Sequence, residues 1–208
     1  MIRNKNNFFM NRIVHYYIKW AVGKAFHELL FNDIVVDQNK SILLIGNHFS
    51  FWDGLILYCV NDKLLKKKLH VMILEETARK ERFLKYVGAF SVKKDSKSIV
   101  RSLDYAAELL EDPANLVLMF PQGKLYANFV TNIYFEKGVM RIIEKATGNF
   151  QLIFASTFIQ YFKHKKPTAT VYLKSEPENY AGENIDKLQD AYQRHYEASR
   201  VLQTEFDI

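Results

Sequence analysis

Cysteine is nearly absent from this 208-residue chain, where Cys59 stands alone. No internal disulfide can therefore brace the fold, and no cysteine-rich zinc pattern exists. A single thiol fits a reducing compartment. The 4 prolines and 8 glycines are too few for a collagenous or low-complexity chain. No apolar run reaches the roughly 18 residues that a conventional membrane-spanning helix needs. The first residues also lack the apolar core and small cleavage-site residues of a secretory signal. Internal repeats and domain breaks are missing too, which leaves one compact domain with at most an appendage.

What is present is ordinary in bulk and uneven in detail. Hydrophobic residues make up 49% and charged residues 25%, a globular composition that excludes disorder. Aromatics, at 14%, are plentiful, and the net charge is +6. Such a surface suits nucleic acid, anionic lipid or a phosphorylated substrate. The aromatics fall in strands and in an N-terminal helix rather than between cations in a groove, which argues against nucleic acid.

Residues 8–31, FFMNRIVHYYIKWAVGKAFHELLF, read as a helical region. Asn11, His15, Lys19, Gly23 and His27 recur every four residues as a polar stripe. Phe8, Phe9, Ile13, Tyr17, Trp20 and Phe31 supply a greasy surface. Rings and cations in this mixture suit an interfacial helix, with packing on its own domain as the plainer alternative. The expected organisation is a membrane-interfacial helical element over 1–35 and an α/β domain over 36–208.

Beyond it, strand-like runs alternate with helical patterns: ILLIG (42–46), HVMIL (70–74), AFSV (89–92), NLVLMF (115–120), QLIFAST (151–157) and TATVYL (168–173). Between the third and fourth, Ile99, Leu103, Ala106, Ala107 and Leu110 share a helical face that Pro113 stops. EKGVMRIIEKATG is a shorter helix with Gly148 placed to end it. ENIDKLQDAYQRHYEASRVLQ reads as a polar C-terminal helix. The pattern predicts an α/β fold with a mixed, mainly parallel sheet flanked by helices.

The segment NHFSFWDG (47–54) leaves the first of these strands. Ser50 and Asp53 fit an S-x-x-D capping box, which explains Asp53 without any chemistry. Yet Gly54 falls in the first helical turn, where it costs about 1 kcal/mol relative to Ala, and suggests a close approach to the backbone. His48 also lies at a strand's C-terminal exit before a helix start, where open α/β sheets bind ligands. A carboxylate on one ring nitrogen fixes the tautomer and leaves the other as a general base. A metal-dependent hydrolase using the same pair lacks a clear third ligand. NLVLMFPQGKLY (115–126) is a second exit, stiffened by Pro121 and opened by Gly123. It is not a phosphate-binding P-loop, because Leu118 stands where the first glycine belongs. Cys59 reads as a small buried apolar residue, His70 as part of a solvated basic turn, and KHKK (163–166) as a loop between strands with some attraction for anionic lipid.

Together these blocks resemble the glycerolipid acyltransferase superfamily, which includes lysophosphatidate and glycerol-3-phosphate acyltransferases. NHFSFWDG matches its NHxSxxD motif and FPQGK its FPEGT block. GAFSVKK (88–94) is similar to the GxxFIDR block, and FEKG (135–138) to the stretch that follows. The resemblance spans roughly residues 40–158. It implies transfer of an acyl group from acyl-CoA or acyl-carrier protein to a hydroxyl of a lyso-lipid or related lipid, on the cytoplasmic face of a membrane. His48 would be the base and Asp53 its orienting carboxylate. Asn47, Ser50, Gly54 and Lys94 would contact substrate, as would Phe120, Pro121, Gln122, Gly123 and Lys124. N–H groups near Gly123 or the helix start would face the oxyanion. No metal or bound cofactor is needed, since the thioester is a co-substrate. Gln122 departs from the family's glutamate, Lys124 from its threonine, Tyr126 from its arginine, Lys94 and Lys93 from its Arg and Asp, and Ala155 from a proline. These departures keep open a catalytically inactive, membrane-associated relative.

Overall fold

The computed structural model describes residues 7–92, 96–147 and 149–205. Seven strands form one sheet: β1 (Leu29–Phe31), β2 (Ser41–Gly46), β3 (Lys68–Leu74), β4 (Ala89–Val92), β5 (Asn115–Met119), β6 (Phe150–Gln160) and β7 (Thr168–Glu176). Their spatial order is β1-β7-β6-β2-β5-β3-β4. Every neighbouring pair is parallel except β6 and β7. The sheet is thus mixed and mainly parallel, as the alternation of strand and helix patterns implies.

Helices cover both faces. α1 (Phe8–Ala25) and α2 (Asp53–Val60) lie on one side, and α4 (Ser96–Leu109), α5 (Gly138–Lys145) and α6 (Ile185–Thr204) on the other. A short α3 (Glu75–Lys80) follows β3. β2 shows why the centre reads as a continuous apolar run. All six of its residues are buried, with Ile42 and Leu44 in one core layer and Leu43 and Ile45 in the other. A parallel strand covered on both faces needs no polar side.

The N-terminal region departs from the expectation of one helix over 8–31. α1 stops at Ala25, and Leu29–Phe31 becomes an edge strand against β7, with Leu29 opposite Ala169. Phe31 therefore packs against the core instead of joining the greasy helix surface. The orientation of α1 also runs against the usual rule. Its polar stripe faces the domain: His15 Nδ1 sits 3.0 Å from the Tyr58 hydroxyl, and Lys19 Nζ donates to Asp62 Oδ2 at 2.8 Å. Val14, Ile18 and Val22 are buried beside it. Phe8, Phe9, Ile13, Tyr16, Tyr17 and Trp20 point outward, Phe8 at 81% exposure and Trp20 at 59%.

Two further expectations need correction. His70 is not in a solvated turn; it lies inside β3, 3% exposed, with Nε2 3.1 Å from Asn115 Oδ1. Burial holds its imidazole below the ordinary histidine range. α6 carries a buried face of Leu188, Tyr192 and Tyr196 among its charges. Of the α4 face, Leu103, Ala106, Ala107 and Leu110 are buried, while Ile99 is not. Gly148 lies outside the described residues. Among those described, no helix is long and apolar enough to cross a membrane.

Candidate active site

The site is assembled where β2 and β5 end side by side. Asn47, the first residue past β2, is fully buried. Its Oδ1 accepts from Thr157 N at 2.7 Å, and its Nδ2 donates to Thr157 O at 2.9 Å. Both ends of the amide are thus committed to β6, and Asn47 works as a clamp that fixes where the chain leaves β2. The buried Tyr192 hydroxyl, which donates to Ala155 O at 2.8 Å, closes the same spot from α6.

His48 is gripped on both sides of its backbone by the loop after β5. Its N–H donates to Gln122 Oε1 at 2.7 Å, and its carbonyl accepts from Tyr126 N at 3.0 Å. The ring stacks on Phe120, centroid to centroid 4.4 Å and 17° from parallel. Nδ1 lies 3.0 Å from Asp53 Oδ2, and the same oxygen accepts from Phe49 N at 2.7 Å and Ser50 N at 2.8 Å. Three donors converging on one buried carboxylate oxygen fix its position. Because a carboxylate only accepts, Nδ1 carries the proton and Nε2 is left as the basic nitrogen. Nε2 has no hydrogen-bond partner among the described residues. The His48 side chain is 26% exposed against 1% for Asp53, so a substrate can reach the ring but not the carboxylate.

The capping box is half formed. Asp53 reaches back to Ser50 N as the box requires, but Ser50 Oγ accepts from Trp52 N at 3.0 Å rather than from Asp53 N. α2 consequently starts at Asp53, after a turn. The segment is at once a helix start and a His–Asp pair, with Asp53 serving both.

The remaining sequence-derived residues divide clearly. Gln122 is buried, and its amide oxygen anchors the His48 backbone. Pro121 is buried, and its carbonyl accepts from Glu136 N at 2.7 Å. Gly123 takes φ +68°, a conformation open to glycine, so its role is the turn itself. Its N–H goes to Phe120 O at 3.2 Å, and the N–H groups of residues 49, 50, 52 and 53 bond to Ser50 or Asp53. Those five N–H groups are therefore committed inside the loops. Beyond its flanking residues and its own helix backbone, nothing among the described residues comes within 4 Å of where a Gly54 side chain would start, so its surroundings are open. Lys124 is exposed, with Nζ 5.0 Å from the Tyr126 ring centroid. Lys93 and Lys94 lie outside the described residues.

Other reactive groups are not part of this constellation. Cys59 is buried on α2, and desolvation pushes its thiol up to about 11. His195 is buried against Tyr172 O, which it meets at 3.1 Å. No group of three His, Cys, Asp or Glu able to hold a metal occurs among the described residues. The partners of Asn47 and of the His48 backbone were beyond sequence reasoning, because they are backbone groups or come from distant segments.

Known proteins share this fold and sequence pattern. The structure resembles that of the 1-acyl-sn-glycerophosphate (LPA) acyltransferase PlsC from Thermotoga maritima, with a TM-score of 0.58. The match covers 91% of this chain and 79% of that one at 15% sequence identity, a likeness of fold. No curated protein sequence matches the chain. The family model described as Acyltransferase matches residues 31–160, which contain both strand exits, the His48–Asp53 pair and its Gln122 anchor. The chain belongs to the Acyltransferase family.

Proposed function

We propose that this protein moves a fatty acyl group from acyl-CoA or acyl-carrier protein to a hydroxyl of a lyso-lipid or related lipid precursor. It would do so as a peripheral protein on the cytoplasmic face of a membrane. The observation that carries this reading is the His48–Asp53 pair, one ring nitrogen held at 3.0 Å by a buried carboxylate and the other unengaged. In the transfer, Nε2 takes the proton of the acceptor hydroxyl as its oxygen attacks the thioester carbonyl. The C–O bond forms, the C–S bond breaks, and the proton passes from Nε2 to the departing thiolate. Asp53 stabilises the imidazolium formed in between, and no acyl-enzyme is required.

Two features support the rest of the reading. The outward aromatic face of α1, with the exposed Arg12 and Lys24 on the same helix, suits the headgroup level of a bilayer that holds the acceptor. Gln122 in place of a glutamate does not argue for lost activity, since its amide oxygen makes the bond to His48 N that a carboxylate would make. The test is lipid mass spectrometry on membranes incubated with labelled acyl-CoA or acyl-carrier protein, comparing wild type with His48→Ala. A labelled lipid formed by wild type alone is expected, and it names the acceptor. Equal product from the variant would remove His48 from the mechanism.

A further inference from the structure

The turn between β6 and β7 stands beside the site yet has no part in it. β6 and β2 are parallel neighbours with Ala155 opposite Gly46, but β6 continues to Gln160. Five more residues at about 3.3 Å each carry the turn about 16 Å past the end of β2, on the same edge as His48. At its tip YFKHKKP (161–167) presents Lys163, Lys165 and Lys166, all exposed. None of the three has an ion-pair partner among the described residues. Residues 155–173 contain no acid. Tyr161 is exposed at 61% beside them.

The tip is joined to the catalytic loop by ring contacts. His164 stacks on His27, centroids 3.6 Å apart and planes 18° from parallel. Backbone bonds fix that stack, His27 N donating to Pro167 O at 2.8 Å and Ala169 N to Glu28 O at 3.0 Å. Phe26, the preceding residue, meets the edge of Trp52 at 5.4 Å, and Trp52 precedes Asp53. The outward surface nearby holds Lys24 over the Trp20 ring at 4.9 Å. Basic tip, end of α1 and the loop before Asp53 are therefore joined by an unbroken chain of contacts.

We infer that the β6–β7 turn is a second bilayer contact, specific for anionic headgroups, which turns the His48 edge towards the lipid. This inference rests on the proposed action on a membrane-borne acceptor. Unpaired lysines alone would equally suit an acidic protein. Here exposed Tyr161 stands at the start of the same turn, and the turn is tied through His164 and His27 to the end of α1, the helix whose exposed rings include Trp20; rings of this kind settle at the boundary between headgroups and acyl chains. α1 supplies the greasy hold, and the turn adds the charge that sets orientation.

The test is vesicle flotation of the full chain with neutral phosphatidylcholine and with vesicles containing about a third anionic phosphatidylglycerol. Wild type is compared with Lys163→Gln/Lys165→Gln/Lys166→Gln and with Lys40→Gln/Lys66→Gln/Lys68→Gln, an equal loss of charge at the opposite edge of the sheet. At about fivefold per lysine near an anionic surface, the turn variant is expected to bind anionic vesicles about a hundredfold more weakly. The opposite-edge variant should stay within about threefold of wild type, and neutral vesicles should not distinguish the three. Equal losses in both variants would reduce the effect to net charge and overturn the inference. Unchanged binding of the turn variant would overturn it as well. So would a turn variant that binds vesicles normally but loses turnover with acyl-carrier protein, which would make the turn a protein dock. Wild type that floats with no vesicle would instead strike the membrane reading itself.

Discussion

Asp53→Asn separates the two tasks that the proposed mechanism gives one carboxylate. The asparagine oxygen can take the place of Oδ2 and still accept from Phe49 N and Ser50 N, so the helix start survives with weaker, uncharged bonds. Charge-assisted bonds are about twice as strong as neutral ones, which sets the stability loss at about 1–2 kcal/mol. What the amide cannot do is balance the imidazolium formed when His48 takes a proton. Charges 3–4 Å apart attract by about 4–6 kcal/mol at an effective dielectric constant of about 20. The nearest atoms are 3.0 Å apart, but the imidazole is 26% exposed, so solvent screens one side of the pair. Halving the attraction for that screening leaves about 2–3 kcal/mol of transition-state stabilisation, about 30- to 160-fold in kcat/KM. The assay is steady-state transfer of labelled acyl chain to the acceptor lipid, with urea denaturation of the same preparations. A folded Asp53→Asn protein with kcat/KM within about threefold of wild type would refute the reasoning and reduce Asp53 to a helix anchor.

Two further outcomes follow from buried polar groups. Asn47→Ala removes both partners of the Thr157 backbone and strands an N–H and a carbonyl in the core. A loss of about 2–4 kcal/mol in urea denaturation is expected, with activity falling as the exit from β2 loosens. His195 is buried, and desolvation lowers its pKa to about 4 from the ordinary 6.5. Between those values the unfolded chain binds a proton that the folded chain refuses. Its contribution is therefore complete above pH 6.5 and shrinks as pH falls towards 4, by up to about 3 kcal/mol. Denaturation at pH 7 and pH 4.5 should show a smaller acid loss in His195→Gln, and equal losses in both proteins would contradict the assignment.

The central strands were legible in the sequence for a plain reason. β2 and β5 are buried on both faces, so they appear as continuous apolar runs that no solvent-facing element shares. The contact between His48 and Asp53 was legible because its spacing falls within one loop and one helical turn. β1 was not, because three apolar residues after a helical pattern carry no strand signal; they become a strand only when β7 arrives beside them. His70 was misread for a related reason. The lysines before it suggest a solvated turn, while the burial comes from pairing with β4 and β5. Asn47 could be noticed as a motif residue, but its backbone partner at Thr157 is 110 residues away and leaves no mark in the local sequence. Gln122 looked like a lost charge until the structure showed what its oxygen holds.

The placement of β1 bears on how the chain is made. Its partner strand comes late: Asn32, just past β1, is bonded to Leu173 across 141 residues of sequence. At synthesis rates of about 5–20 residues per second, the N-terminal segment emerges about 7–30 s before β7 can receive it. During that interval Phe8, Phe9, Tyr16 and Trp20 are already outside the ribosome, while the strand that stitches the end of α1 to the sheet does not yet exist. A nascent chain in this state has an aromatic segment and an unpaired edge at once. Any surface that captures greasy segments, a bilayer or a chaperone, therefore meets α1 before the domain does.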